Sequence, residues 1–184
     1  DWSILHGLGA TLPMKVDHKA AATPPALKIH SPLLVGVVAA LSAVLLDQMS
    51  KALVFERIGP GEELAVGSLL SILPGWNEGT AFGLAQGVAP LLLVGVALVI
   101  TAFLAALLFK ARSPVEGAAL GAAIGGALAN VVDRIRFRAV RDFIDVHWNA
   151  LHWPTFNVAD MFVVSGLLLF VVVEHFRHRN ASKV

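Results

Sequence analysis

From Val88 to Phe109 the chain runs for 22 residues without one charged side chain. Wound as an α-helix, such a run is about 33 Å long, which matches the hydrocarbon core of a bilayer. The rest of the composition agrees with a membrane setting. Apolar residues make up 57% of the 184 and charged residues 15%, against about 45–50% and about 25% in soluble domains. The balance of 14 basic and 13 acidic residues leaves no electrostatic motive for a nucleic-acid partner. The absence of Cys excludes disulfides, thiolate nucleophiles and Cys-based metal centres.

Three further spans are expected. Ser31 to Phe55 is apolar apart from Asp47, Gln48 and Lys51. After Lys110-Ala111-Arg112 and Ser113-Pro114 a third helix runs to about Arg134, and Phe156 to Phe176 forms the fourth. In the third, Gly117, Gly121, Gly125 and Ala129 recur every fourth residue, a strip on which another helix can pack closely. The same spacing reaches Asp133, so whatever packs there lies beside a carboxylate.

Between the spans, residues 56–87 mix Gly, Pro and Asn with short apolar patches and read as a small extramembrane sheet. Residues 135–155, with Arg141, Asp142, Asp145, His147, Trp148, His152 and Trp153, are too polar to span and read as an amphipathic segment along the membrane surface. The fold class is thus a mainly α membrane protein with four transmembrane helices, a small extracytoplasmic β-sheet and an interfacial segment. Residues 1–30 form an N-terminal tail, of which 1–13, ahead of Met14-Lys15, are expected to be an appended segment. Residues 31–177 form the membrane domain and 178–184 a cytoplasmic tail.

Four spans put both termini on one side. With that side cytoplasmic it holds Lys15, Lys19, Lys28, Lys110, Arg112, Arg177, Arg179 and Lys183, against Arg57, Arg134, Arg136, Arg138 and Arg141 outside, eight basic residues to five. Under this topology Asp47, Lys51, Asn130, Asp133, Arg134, Asp142, Asn157 and Asp160 all converge on the extracytoplasmic leaflet. Ionisable groups there are costly and need a partner or a purpose. Asp47 and Lys51, four apart with the acid first, suit an intrahelical pair. Asp133 can brace a neighbour, whereas Asn130 and Arg134 could equally face a substrate. Asp160 lies one turn inside an apolar span with no basic residue near it in sequence. Beside a second carboxylate it would form a pair sharing one proton, the state an aspartyl protease uses. Helix capping by Asn157 or Asp160 is the plainer alternative, and spacing alone does not rank Asp133 against Asp142 as the second acid.

Other chemistries fare worse. There is no His-Glu-x-x-His metal site, and His175 with His178 lies among basic residues at the cytoplasmic end. Ser165 has no His on its helix face. Gly125-Gly126 lacks the strand and Lys of a phosphate loop and reads as helix packing.

Five blocks in order resemble the signal peptidase II family, the lipoprotein signal peptidases of bacteria. They are Asp47-Gln48-Met49-Ser50-Lys51, Asn77-Glu78-Gly79-Thr80-Ala81-Phe82-Gly83, the stretch from Gly125 to Arg134 ending Asn130-Val131-Val132-Asp133-Arg134, Val140-Arg141-Asp142-Phe143-Ile144-Asp145, and Phe156-Asn157-Val158-Ala159-Asp160. The resemblance covers about residues 31–177. It implies an aspartyl endopeptidase of the inner membrane that cleaves prolipoproteins on the N-terminal side of a diacylglyceryl-modified Cys, with Asp142 and Asp160 catalytic. By the same token Asn130, Arg134 and Asn157 would position substrate, and Asn77 would hold the sheet to the site. Asp133 would brace Arg134, with Asp47 and Lys51 as supporting residues at the rim.

No metal or organic cofactor is implied. The partners are lipidated prolipoproteins and membrane lipid, and the chain is expected to be a monomer with its site toward the periplasmic leaflet. A signal-peptide helix could dock on the small-residue strip, with the sheet and surface segment as a clamp. The competing classes are an ion- or proton-coupled transport protein using the same intramembrane charges and a scaffold whose strip binds a partner helix.

Overall fold

A computed structural model describes residues 31–59, 61–79 and 90–181. The readings made of residues 1–30, of Thr80 to Gly83, of the first two residues of the charge-free run and of the last three residues lie outside it.

All four spans form. Helix α1 covers Pro32–Arg57, α2 Pro90–Phe109, α3 Pro114–Phe137 and α4 Val158–Ala181. Ser31 caps α1 by accepting the Leu34 N–H at 3.0 Å, and Ser113 caps α3 through the Glu116 N–H at 3.2 Å, each just ahead of a Pro whose missing N–H costs nothing there. Helix α3 runs three residues past Arg134 and stops at Arg138, whose φ of 59° is left-handed.

Helix α3 is the buried one, and the other three pack around it. The small-residue strip explains how. Gly117 faces the Pro32 carbonyl, Gly121 the Gly36 carbonyl and Gly125 the Ala40 carbonyl. Each step of four on α3 meets a step of four on α1, so the two helices run side by side in the same direction. A Cβ at any of these glycines would enter the α1 backbone. The strip is therefore filled by α1, which corrects the expectation that a signal-peptide helix docks there. On the other side of α3, Gly126 lies against the Ala159 carbonyl of α4, and Gly166 of α4 lies against Ala119 and Ala123. At the far end Arg177 of α4 pairs with Glu116 of α3 at 2.9 Å and with Glu174.

The sheet is larger than the sequence suggested. Strands β1 (Leu64–Ala65) and β2 (Leu70–Asn77) fall where expected, but β3 (Val140–Trp148) and β4 (Leu151–His152) continue the same antiparallel sheet in the order β1-β2-β3-β4. Much of the segment expected to lie along the membrane surface is thus strand. Its backbone polar groups need partners, and β2 supplies them from Leu70 opposite Val146 to Asn77 opposite Val140, across a bulge between Ile72 and Gly75. Trp76 of β2 stacks edge-on between Phe55 of α1 and Phe137 of α3, with centroids at 5.2 and 5.4 Å. That aromatic stack seats the sheet on the ends of α1 and α3.

Candidate active site

Continuing the α1–α3 register by two more steps of four, from Gly125 and Ala40, brings Asp47, Gln48 and Lys51 to Asp133. The Lys51 ammonium lies 2.8 Å from Asp47 and 3.1 Å from Asp133, and donates to Asn130 Oδ1 at 2.9 Å. Asp47, Lys51 and Asp133 are fully buried, so these supporting residues sit in the interior and not at the rim. Charges this deep persist only when paired and fully hydrogen-bonded. Arg141 completes the set: its Nη2 and Nε donate to Asp133 at 2.8 and 3.3 Å and its backbone N–H at 3.1 Å. Gln48 links the two sides, donating to Asp133 at 3.0 Å and accepting from Arg141 at 3.0 Å.

Two acids and two bases thus cancel. Asp133 braces Arg141, not Arg134 as the resemblance implied; Arg134 bonds only weakly to the Asn130 carbonyl, at 3.5 Å, and feels the charges of Asp160 and Asp142. Gln48 and Arg141 had no role assigned from sequence. The signal for Arg141 was its place in an Arg cluster on the side that should be poor in basic residues.

Asp142 and Asp160 are held above this network by amides. Phe156 bridges to Ile144 of β3, with the Ile144 N–H donating to Phe156 at 2.8 Å and the Phe156 N–H returning at 3.1 Å. This stitch sets the start of α4 beside Asp142. Asn157 Oδ1 accepts the Asp160 N–H at 3.1 Å and Asp160 Oδ2 accepts the Asn157 N–H at 3.1 Å, a reciprocal cap of the capping-box kind. The capping alternative is therefore realised, and by the same residues that build the site.

The Asn157 amide also donates to Asp142 Oδ1 at 2.6 Å and to Asn130 Oδ1 at 3.1 Å, while the Asn130 amide donates to Asp160 Oδ1 at 2.8 Å. From the neighbouring strand β2, Asn77 donates to Asp142 Oδ2 at 2.9 Å and accepts the Gly79 N–H at 2.9 Å. The Asn157 side chain is fully buried and both of its amide hydrogens are used. Asn157 and Asn130 hold carboxylates, which leaves Arg134 as the polar group of that set still open to a ligand. Asp47 adds a further tie by accepting the Ala159 N–H of the first turn of α4 at 2.8 Å, where an anion suits the helix dipole.

The two kinds of carboxylate differ in their partners. Asp133 and Asp47 meet cations, whereas Asp142 and Asp160 are bonded by neutral amides. Burial pushes the Asp142 carboxyl up to about 6; the Asn77 and Asn157 amides pull it back, and the charge of Asp160 adds to the rise. A carboxyl whose folded value lies above its unfolded value favours the folded state at low pH and loses that contribution as pH rises through the folded value. The stability of the protein relative to Asp142→Asn is therefore expected to fall by ~3 kcal/mol between about pH 4 and pH 6 and to stay level above, in unfolding titrations in mixed micelles. A difference that is flat with pH, or that grows, would contradict the burial of this carboxyl.

Asp160 is only half-buried and opens on an apolar groove of about 390 Å³ lined by Trp153, Phe156, Met161, Val164, Ser165 and Leu168. Ser165 spends its hydroxyl on the Met161 carbonyl at 2.6 Å, in keeping with a packing role. His178 is largely exposed and lies 3.6 Å from Glu174.

Four membrane-length helices packed about α3, with a small sheet seated on their ends and a half-buried carboxylate that opens on an apolar groove beside a second amide-held one, define a polytopic membrane protein with a pair of acids. The fold is shared with two solved structures of bacterial membrane enzymes. One aligns with a TM-score of 0.72 at 24% identity, covering 80% of this chain and 92% of the other. The second gives 0.69 at 25%, covering 77% and 92%.

Residues 39–176 match the family described as signal peptidase (SPase) II, and the chain belongs to that family of bacterial multi-pass membrane peptidases. Among its relatives, the lipoprotein signal peptidase of Anaplasma marginale (strain Florida) is 35% identical over 150 residues, 80% of this chain and 88% of the relative. That of Serratia marcescens is 37% identical over 128 residues, 68% and 75%. That of Cupriavidus necator is 33% identical over 172 residues, 91% and 94%.

Proposed function

We propose that this chain removes the signal peptides of bacterial prolipoproteins, cutting on the N-terminal side of a diacylglyceryl-modified Cys by water activated between Asp142 and Asp160. The observation that carries the reading is that the Asn157 side chain and backbone tie both carboxylates to one buried residue. One carboxylate takes a proton from water as it attacks the scissile carbonyl, and the other, protonated, donates to the carbonyl oxygen. The proton then passes to the leaving amine as the C–N bond breaks. Amide donors suit this cycle because they orient a carboxylate without fixing its charge, as a Lys or Arg would.

In this reading Arg134 contacts the substrate backbone, and Asn130, Asn157 and Asn77 keep the acids in place. Asp133, Asp47 and Lys51 stabilise the frame beneath. The groove beside Asp160 takes apolar substrate from the lipid, the enzyme works as a monomer without a cofactor, and the termini are cytoplasmic with the site at the periplasmic leaflet of the inner membrane.

Purified protein in micelles is expected to cleave a diacylglyceryl-modified precursor and to leave the same precursor without lipid essentially uncut, because entry from the membrane supplies the local concentration. Equal cleavage of both by gel assay would overturn the lipid-entry part of the proposal. Cleavage of neither would overturn the whole.

A further inference from the structure

Among the described residues, the proposed peptide chemistry leaves one cluster of ligating side chains unused. Asp145 and His147 are two apart on β3 and so share a face of the sheet, the face opposite the one Asp142 occupies by the same alternation. His152 of β4 stands directly across from His147 in the strand register. His147 Nδ1 lies 3.0 Å from Asp145 Oδ2, and His152 Nδ1 lies 3.1 and 3.0 Å from Asp145 Oδ1 and Oδ2. One ligand atom from each of the three falls within 4.8 Å of the others. Asp145 is 1% exposed, and both imidazoles bond to its carboxylate. Two ring protons or one cation can fill the space between these atoms.

We propose that Asp145, His147 and His152 form a binding site for a divalent transition-metal ion of the Zn²⁺ kind. Tetrahedral bonds of about 2.0–2.1 Å place ligand atoms about 3.4 Å apart, close to the carboxylate–imidazole separations here. His152 is 53% exposed at its side chain and free to adjust the third edge. A second observation marks the same rung of the sheet. Ser71 pairs with Asp145 in the β2–β3 register and so lies on the same face. Its hydroxyl is buried with no hydrogen-bond partner among the described residues, although such groups are nearly always satisfied. A metal-bound water in the fourth position gives that hydroxyl a partner. The ion clips β4 to β3 on the face away from Asp142, so the site is separate from the proposed cleavage chemistry.

The test is calorimetric titration of the full-length protein, free of any polyhistidine tag, with Zn²⁺ in detergent micelles. One ion per chain is expected to bind, with affinity reduced at least ~10-fold by His152→Ala and by His147→Ala, since losing even a partner of a ligand costs that much. The exposed position of His152 lets that variant keep its fold, and a melting curve without metal checks it. Binding unchanged in His175→Ala/His178→Ala assigns the ion to the hairpin. No uptake by the unaltered protein would overturn the site and leave a hydrogen-bonded cluster of two imidazoles and a carboxylate. Uptake that survives His152→Ala undiminished would overturn it as well.

Discussion

Asp142→Asn and Asp160→Asn are each expected to slow cleavage of a lipidated precursor by ~10³-fold or more, with the protein still folded and still in the membrane. General acid–base participation by one positioned group is worth about 10²–10⁴, and here either replacement removes the proton cycle of both. The double variant should therefore be no slower than the singles, because groups acting as one unit do not contribute additively. Asn keeps the shape of Asp but offers one acceptor where the carboxylate offers two. Asp142 accepts from Asn77 and Asn157, and Asp160 from Asn130 and the Asn157 backbone, so each variant also loses about 1 kcal/mol of hydrogen bonding. That structural loss separates the two roles of Asp160. If it served α4 only as a cap, Asp160→Asn would lower the melting temperature slightly and leave turnover within a few-fold of the original. Normal cleavage by either single variant, measured as initial rate at saturating substrate, would sink the acid-pair mechanism while leaving the family assignment intact.

The second large effect is on stability. Asp133→Leu is expected to destabilise by about 3–5 kcal/mol, the usual cost of leaving buried charges without their partner, because both the Lys51 ammonium and the Arg141 guanidinium lean on this one carboxylate. The diagnostic form is a cycle. Lys51→Met alone strands Asp47 and Asp133 with Arg141 as the one remaining cation of the set. In an Asp133→Asn background the same change removes the second member of a pair and leaves Asp47 and Arg141 in balance. Lys51→Met should cost less there than in the unaltered protein, read from unfolding midpoints in mixed micelles. Strict additivity would mean that the four charges do not act as one network.

These two effects fall on carboxylates that look alike in the sequence. Asp133 ends the third span and Asp142 lies in the polar segment just after it, and spacing offers no reason to prefer either; only the family resemblance ranks them. In three dimensions their partners separate them. Asp133 lies under α1, where the four-residue step of the glycine strip brings Lys51 and Gln48 onto it. Asp142 is lifted off that network by the β2–β3 pairing, to where Asn77 and Asn157 reach it. Lys51 is 79 residues from Asn130 and 82 from Asp133 in sequence, so no local pattern could state the contact.

The same separation explains why Arg134 was given a brace that belongs to Arg141. The two arginines flank the turn at Arg138, and which of them folds back on Asp133 depends on the left-handed residue between them. The strand pairing of the surface segment is not legible in the sequence for a related reason. An edge of alternating polar and aromatic residues can lie on a membrane or pair with a strand, and the partner strand sits more than sixty residues upstream.

What the sequence alone determined was the solvent and the number of crossings. A charge-free run as long as a bilayer is thick admits few other placements, the Ser and Pro punctuation set two of the helix starts, and the spacing of Gly117, Gly121 and Gly125 required a close helix neighbour. The tertiary structure decided which neighbour that was, and with it which acids are neutralised and which are left to amides. The physical reason is that hydropathy and helix period are properties of a segment, whereas the state of a buried carboxylate is a property of whatever distant group is brought within about 3 Å of it. The proposed chemistry of this protein depends on that second kind of fact, settled where α1, β3 and the first turn of α4 meet on α3.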